Sequence, residues 1–359
     1  MRSCRRHLPR AVLPTALVLF CALPSLATAA PKWLRVSIPA NDAAHSMVVA
    51  WNTEADEPTE VLYGLSEGKI DLKATGQSFQ AKGPLGWVHE VTLTDLPQDV
   101  QVYYRVGDGS TWSTIQHFRS GIVDGCTPFV FVAGGDHRSD DSAGPNPKWE
   151  SILQQMTESE PRFMLESGDL VHDGDDYVQW VNHMKMAELR TPTYPLMPAI
   201  GNHDDDAVTG DGAAYNQLFA LPRNDADNTE DFYSFTYGNV FVAALSTQTN
   251  KDDGFAKQAK WLDAELTKHA DKTWKFVFYH HPSYTSYIDL KVLDLNHPPN
   301  EVGQNPIFVP IFDKHHVDIV FAGHNHFYER FAPMKAGKPV SSPAEGTIYI
   351  TSGGTGAFT

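Results

Sequence analysis

The 359-residue sequence carries 44 acidic against 28 basic residues, a formal charge of −16, and 42% of it is hydrophobic. That length is enough for two ordinary cores. A chain this acidic repels polyanions at long range, which argues against nucleic acid as a partner.

The first thirty residues read as an export leader rather than as part of the fold. Arg2, Arg5, Arg6 and Arg10 give a positive start, residues 11–26 are apolar, and Ala27-Thr28-Ala29 supplies the small residues of a cleavage site after Ala29. A membrane anchor fits less well, because Pro14 and Pro24 interrupt a stretch shorter than the about 20 apolar residues a span needs. Arg5-Arg6 also raises a twin-arginine export route. The mature protein is therefore expected outside the cytoplasm, secreted or periplasmic, with no membrane segment. Cys4 and Cys21 leave with residues 1–29, so Cys126 stays as a single thiol without an internal partner. Loss of the four leader arginines leaves 24 basic residues against 44 acidic ones, a charge near −20. A phosphate ester could enter such a field only where local positive charge, such as a metal ion, overrides it.

Residues 30–121 alternate every second residue. Strands are predicted at 33–39, 46–53, 59–64, 87–96, 100–107 and 113–119, separated by Gly, Pro and Asp clusters. Within 100–106, Val100, Val102, Tyr104 and Val106 share one face and Gln101, Tyr103 and Arg105 the other. The pattern predicts an all-β, fibronectin-III-like sandwich that acts as a spacer or a wall.

Residues 122–359 change to strands alternating with helices. Strands are predicted at 127–134, 163–167, 195–200, 274–279, 317–322 and 347–351, and a hairpin at 232–246 turns on Gly238-Asn239. Helices are predicted at 147–158, 177–189, 257–269 and 307–315. That order implies two sheets covered by helices, a four-layer αββα domain.

Five groups of Asp, Asn and His fall just past predicted strand ends, where open α/β sheets bind ligands. They are Gly135-Asp136-His137-Arg138, Gly168-Asp169-Leu170-Val171-His172, Gly201-Asn202-His203-Asp204, Tyr279-His280 and Gly323-His324-Asn325-His326. Each alone could be a turn, a helix cap or a buried core imidazole. Five in order, each at a strand end, point to one metal centre, and oxygen and imidazole donors without thiolate suit Fe, Zn or Mn.

With these motifs the chain resembles the metallophosphoesterases, and the sandwich in front makes it similar to their purple acid phosphatase branch. Residues Gly323 to Arg330 match that branch's last motif closely. The resemblance implies two divalent or mixed-valence ions bridged by one carboxylate. It places Asp136, Asp169 and His326 on the first, and Asp169, Asn202, His280 and His324 on the second. It further implies that a metal-activated hydroxide attacks a small phosphate ester in line. The favoured substrate is a phosphomonoester; phosphodiesters or nucleotides on the same centre, and a non-catalytic binding protein, are the other readings. His203, beside Asn202, is the candidate acid for the leaving oxygen, or else only orients a ligand.

Three features depart from that branch. Its metal-binding tyrosine, three residues after the bridging Asp, is His172 here, which becomes the expected remaining ligand of the first metal or a residue just outside it. A neutral ligand there favours a divalent ion and a nearly colourless protein. Arg138 cannot ligate; it either grips the substrate phosphate or pairs with Asp140 or Asp141. The substrate-side histidine pair of plant members is missing near Asp289-Leu290. The chain also stops in Gly353-Gly354-Thr355-Gly356, where relatives usually continue, so a truncated reading frame is one reading of its end. Nothing in the sequence speaks to oligomeric state.

Overall fold

Eight antiparallel strands build the N-terminal region: β1 (Lys32–Ser37), β2 (Met47–Thr53), β3 (Glu60–Gly64), β4 (Leu72–Thr75), β5 (Gln77–Gln80), β6 (Trp87–Leu93), β7 (Gln101–Gly107) and β8 (Gln116–Arg119). They form two sheets, ordered β1-β2-β6-β5 and β4-β3-β7-β8. The computed structural model describes residues 30–40, 42–123, 125–138, 144, 146–204, 213–226, 228–248, 255–286 and 300–357. The expected leader, the Asp140/Asp141 alternative for Arg138 and the Asp289-Leu290 segment lie outside the described residues.

The two sheets close over one core. Leu34, Val36, Val49, Trp51 and Val91 face Val61, Val102, Tyr104, Val106 and Phe118. The period-two pattern of β7 decides its face: Val102, Tyr104 and Val106 are fully buried, and Gln101 is exposed. β4 and β5 were not expected. Their residues are mostly exposed, so these edge strands carry no apolar alternation to read.

The second region contains β9 (Val132–Gly134), α1 (Pro147–Glu158), β10 (Met164–Glu166), α2 (Tyr177–Ala187), β11 (Leu196–Pro198), α3 (Ala214–Leu218), β12 (Tyr233–Tyr237), β13 (Val240–Ala244), α4 (Ala256–Lys268), β14 (Trp274–Tyr279), α5 (Asn305–His315), β15 (Ile319–Ala322), β16 (Tyr328–Arg330), β17 (Met334–Lys335), β18 (Lys338–Pro339) and β19 (Ile348–Ser352). β11-β10-β9 is a parallel sheet. The larger sheet runs β12-β13-β14-β15-β19-β16, parallel at its centre and antiparallel at both edges.

Alternate residues of β14 show how the layers stack. Phe276 and Phe278 join Phe163, Phe235 and Val242 between the two sheets, where the Phe131 ring lies 5.2 Å from both Phe163 and Phe276. Val277 and Tyr279 face the other way, onto Trp261 and Leu262 of α4 and Phe308 and Phe312 of α5. α1 and α2 cover the smaller sheet through Trp149, Leu153, Trp180 and Met184. The order is helix, sheet, sheet, helix. Each side chain near the centre therefore leaves a strand's carboxyl end, in the crevice above the paired sheets.

The sandwich docks on the end of α2. Val36 N donates to Thr191 O at 2.9 Å, Leu34 N to Glu188 Oε1 at 3.1 Å, and Tyr104 Oη to Pro192 O at 2.8 Å. Among the described residues no helix is long and apolar enough to cross a membrane.

Candidate metal centre

Three of the motif residues sit in left-handed backbone: Asp136 at φ 62°, Asp169 at φ 56° and His324 at φ 67°. Non-glycine residues avoid this region unless their surroundings hold them there, and such strain gathers at functional sites. Neighbouring glycines let the chain come close. A Cβ on Gly201 would lie 2.3 Å from Asp169 Oδ1, and one on Gly323 would lie 2.3 Å from Asp136 Oδ2. Any side chain at either position would push a carboxylate out of place.

Asp136, Asp169 and His326 come together, each with one donor atom within 4.8 Å of the others. Asp136 is fixed by the backbone N–H of His324, which donates to Oδ1 at 2.9 Å and Oδ2 at 2.8 Å. Burial, and then the neighbouring Asp169 charge, push the Asp136 carboxyl well above its ordinary range. Two carboxylates crowded in a dry pocket call for a cation.

A second convergence adjoins it. His280 Nε2 lies 3.2 Å from Asp169 Oδ1, 2.9 Å from Asn202 Oδ1 and 3.2 Å from His324 Nδ1. The far side of each ring fixes what these nitrogens carry. His280 Nδ1 faces the Ser167 carbonyl at 2.9 Å, which can only accept, so the proton is on Nδ1 and Nε2 is a bare lone pair. His324 Nε2 faces the Glu301 carboxylate at 3.0 Å, which leaves the Nδ1 of the neutral ring bare as well. Burial, then His324 and His281, hold His280 well below the usual imidazole range, hence neutral. Three acceptors thus lie around the bare Nε2 of His280, with no proton between them and it. That arrangement is repulsive alone and suits a cation bound by two imidazoles, an amide oxygen and a carboxylate shared with the first group.

His172 stands outside both groups. Its Nδ1 accepts a hydrogen bond from Arg138 Nη1 at 2.9 Å, which leaves the proton of the neutral ring on Nε2. Arg138 Nε also reaches Asp169 Oδ2 at 3.3 Å. Arg138 therefore spans Asp169 and His172. His203 stacks on His172 with ring centroids 5.0 Å apart, and its Nδ1–H donates to the His172 carbonyl at 2.7 Å. His203 Nε2, 4.0 Å from Asp169 Oδ2 and half-buried, is the nitrogen left to exchange a proton.

Several residues in or behind these loops carried no sequence signal of their role. Asp204 Oδ1 accepts from Leu170 N and Val171 N, and its Oδ2 from Gly201 N, so it ties the second motif to the third. Gln179 of α2 accepts from His172 N and Asp173 N. Glu301 lies 21 residues beyond His280 in sequence, and with His281 and His324 it forms another trio whose donor atoms lie within 4.8 Å. His137 turns away from the centre, stacked on Trp149 at 3.9 Å and bonded to Glu166 and His183. Burial pushes Glu166 up to about 8 and His137 down to about 3, so this pair is uncharged near neutral pH.

Comparison with known proteins agrees with this geometry. Residues 31–120 match the N-terminal domain of purple acid phosphatases, and residues 108–328 match the calcineurin-like phosphoesterases. Purple acid phosphatase 18 of Arabidopsis thaliana is 27% identical over 324 residues, covering 86% of this chain and 68% of that one. Acid phosphatase type 7 of Homo sapiens is 27% identical over 360 residues, covering 92% and 78%. In fold, a purple acid phosphatase from yellow lupin (Lupinus luteus) seeds superposes with a TM-score of 0.77 at 20% identity, over 92% of this chain. The chain spans 65% of the lupin protein's length. By its family match over more than half its residues, the chain belongs to the calcineurin-like phosphoesterases, in the branch that carries the purple acid phosphatase N-terminal domain.

Proposed function

We propose that the protein hydrolyses phosphomonoesters at a two-metal centre held by Asp136, Asp169 and His326 on one side and by Asp169, Asn202, His280 and His324 on the other. The observation that carries this reading is the set of three acceptors around the bare His280 Nε2, beside a second acidic group that shares Asp169. Two divalent ions (Zn, Mn or ferrous Fe) would supply, when bound, the positive charge that draws in the phosphate and lowers the pKa of the attacking water. The remaining steps belong to the chain. Arg138, fixed by Asp169 and His172, presents a guanidinium to the phosphate oxygens. His203 gives a proton from Nε2 to the leaving oxygen while the His172 carbonyl holds its other nitrogen. Of the two sequence readings of His172, ligand or residue just outside the first metal, this proposal takes the second, with His172 supporting Arg138. The sandwich is read as fibronectin-III-like, the partner as a small phosphate ester, and the location as secreted or periplasmic, the last resting on the leader-like residues 1–29.

The test is metal-reconstituted protein assayed on paired aryl monoesters and diesters, with Asp169→Asn as control. Faster monoester turnover, and in the mutant a near-complete loss of both activity and bound metal, is expected. Wild-type turnover in Asp169→Asn would remove the shared-carboxylate centre. A preference for the diester would move the substrate class.

A further inference from the structure

The run Gly353-Gly354-Thr355-Gly356, which the sequence leaves without a role, follows β19 of the larger sheet and reaches the loop after β9 of the smaller one. There it holds the two peptide groups that flank the Asp136 Cα. Gly135 O accepts from Thr355 N at 3.2 Å and from the Thr355 hydroxyl, and Asp136 O accepts from Ala357 N at 2.8 Å. The second motif holds the same backbone from another side, where Asp136 N donates to Gly168 O at 2.9 Å. Asp136, left-handed at φ 62°, is thus clamped between two loops, and a strained backbone persists only where its surroundings fix it.

The fit is as close on the side-chain side. A Cβ on Gly353 would lie 2.8 Å from Asp136 Oδ2 and 2.3 Å from Asn325 O, so only glycine lets the loop pass between that carboxylate and the last motif. Gly134, at the end of β9, makes matching room: a Cβ there would lie 2.6 Å from Thr355 Cγ2. Thr355 and Ala357 are buried, and Thr355 fills both lone pairs of the Gly135 carbonyl. The pairing of β19 with β16 ends at Ser352, so these bonds belong to the loop and not to the sheet.

We propose that residues 353–357 are the positioning element of the first metal site, with Thr355 holding Asp136 in the place a bound ion needs. The proposal rests on the two-metal reading above. A ligand carboxylate binds more tightly when its neighbours fix it before the ion arrives, and loss of such a neighbour typically weakens binding about 10- to 100-fold. The loop acts on the first site alone, because its bonds go to Gly135 and Asp136 and not to Asn202, His280 or His324.

The experiment measures the affinity of the full chain for Zn by competition with a chelator, in two backgrounds that each keep one site. Asn202→Ala should retain the first ion and His326→Ala the second. Thr355→Val keeps the side chain's shape and removes its hydroxyl. It should weaken the ion held in Asn202→Ala by about 10-fold and leave the one held in His326→Ala unchanged. Thr355→Ser, which restores the hydroxyl, should return the first ion to its original affinity. Equal weakening in both backgrounds, or none in either, overturns the proposal and leaves the two-metal reading standing. Wild type that binds fewer than two ions overturns that reading, and the proposal with it. Gly353→Ala should show the same selectivity more strongly, and it decides the matter should Thr355→Val fail to fold.

Discussion

His203 keeps Nδ1–H on the His172 carbonyl at 2.7 Å, so only Nε2 can pass a proton to a departing group. His203→Ala should therefore slow esters with poor leaving groups by about 100-fold or more, while activated aryl esters lose far less. Equal losses for both would mean that His203 only orients its neighbours. Arg138 and His172 make a paired prediction. Arg138→Ala and His172→Ala should each lower kcat/KM by roughly 10-fold or more with metal content unchanged, and the double variant should lose little beyond Arg138→Ala. If His172→Ala releases one metal ion, His172 is a ligand after all. The centre was legible because its donor types gather at strand ends, a local signal that one sequence can carry. The Arg138–His172 contact joins residues 34 apart, and Glu301 sits outside any motif, so neither could be read without the fold.

Elements were most legible where one face is buried and the other is not. The expected helix 147–158 is α1 as observed, with Asn146 capping it by accepting from Lys148 N, and 274–279 is β14 as observed. The expected strand 127–134 pairs in a ladder only from Val132. Its apolar beginning packs Phe129 and Phe131 against Phe163, so hydrophobicity reported burial there and not sheet pairing. In β6, His89 lies stacked on Trp51 at 5.1 Å, with Thr53 Oγ1 at 2.8 Å and Thr59 Oγ1 at 2.7 Å from its two nitrogens. Burial lowers its pKa from 6.5 to about 4. The unfolded chain then binds more protons than the folded one between those values, so stability is full above pH 6.5 and falls as pH drops through about 4. The loss should be on the order of 2 kcal/mol after allowance for solvent screening. His89→Gln should flatten this part of the stability–pH curve in urea unfolding read from the sandwich, and an unchanged slope would rule His89 out as its source.

At the scale of the whole molecule, the two regions are tied by hydrogen bonds along the end of α2 and by an ion pair between Asp99 and Arg162. Asp99, in the turn before β7, accepts from Arg119 Nε of β8 at 2.8 Å and from Arg162 Nη2, just before β10, at 2.5 Å. The same carboxylate therefore braces the sandwich internally and holds it to the smaller sheet of the second region. The Arg119 bond first, and then Arg162, lower the Asp99 pKa from 3.8 to about 2. A depressed carboxylate contributes stability that is fully present above its unfolded pKa and is lost as pH falls through the folded one. The link should thus hold at mildly acidic pH and weaken only between about pH 4 and pH 2. Asp99 is partly exposed, so its loss should loosen the docking rather than unfold either core. Asp99→Asn is expected to turn a single calorimetric transition into two, or to broaden it, already at pH 5. It should also expose the connection around residues 120–127 to limited proteolysis, while monoester turnover below the first transition changes little. Wild type should approach the same behaviour only as pH falls through about 2. A single sharp transition in Asp99→Asn at pH 5, with unaltered proteolysis, would mean that the α2 contacts alone hold the two regions together.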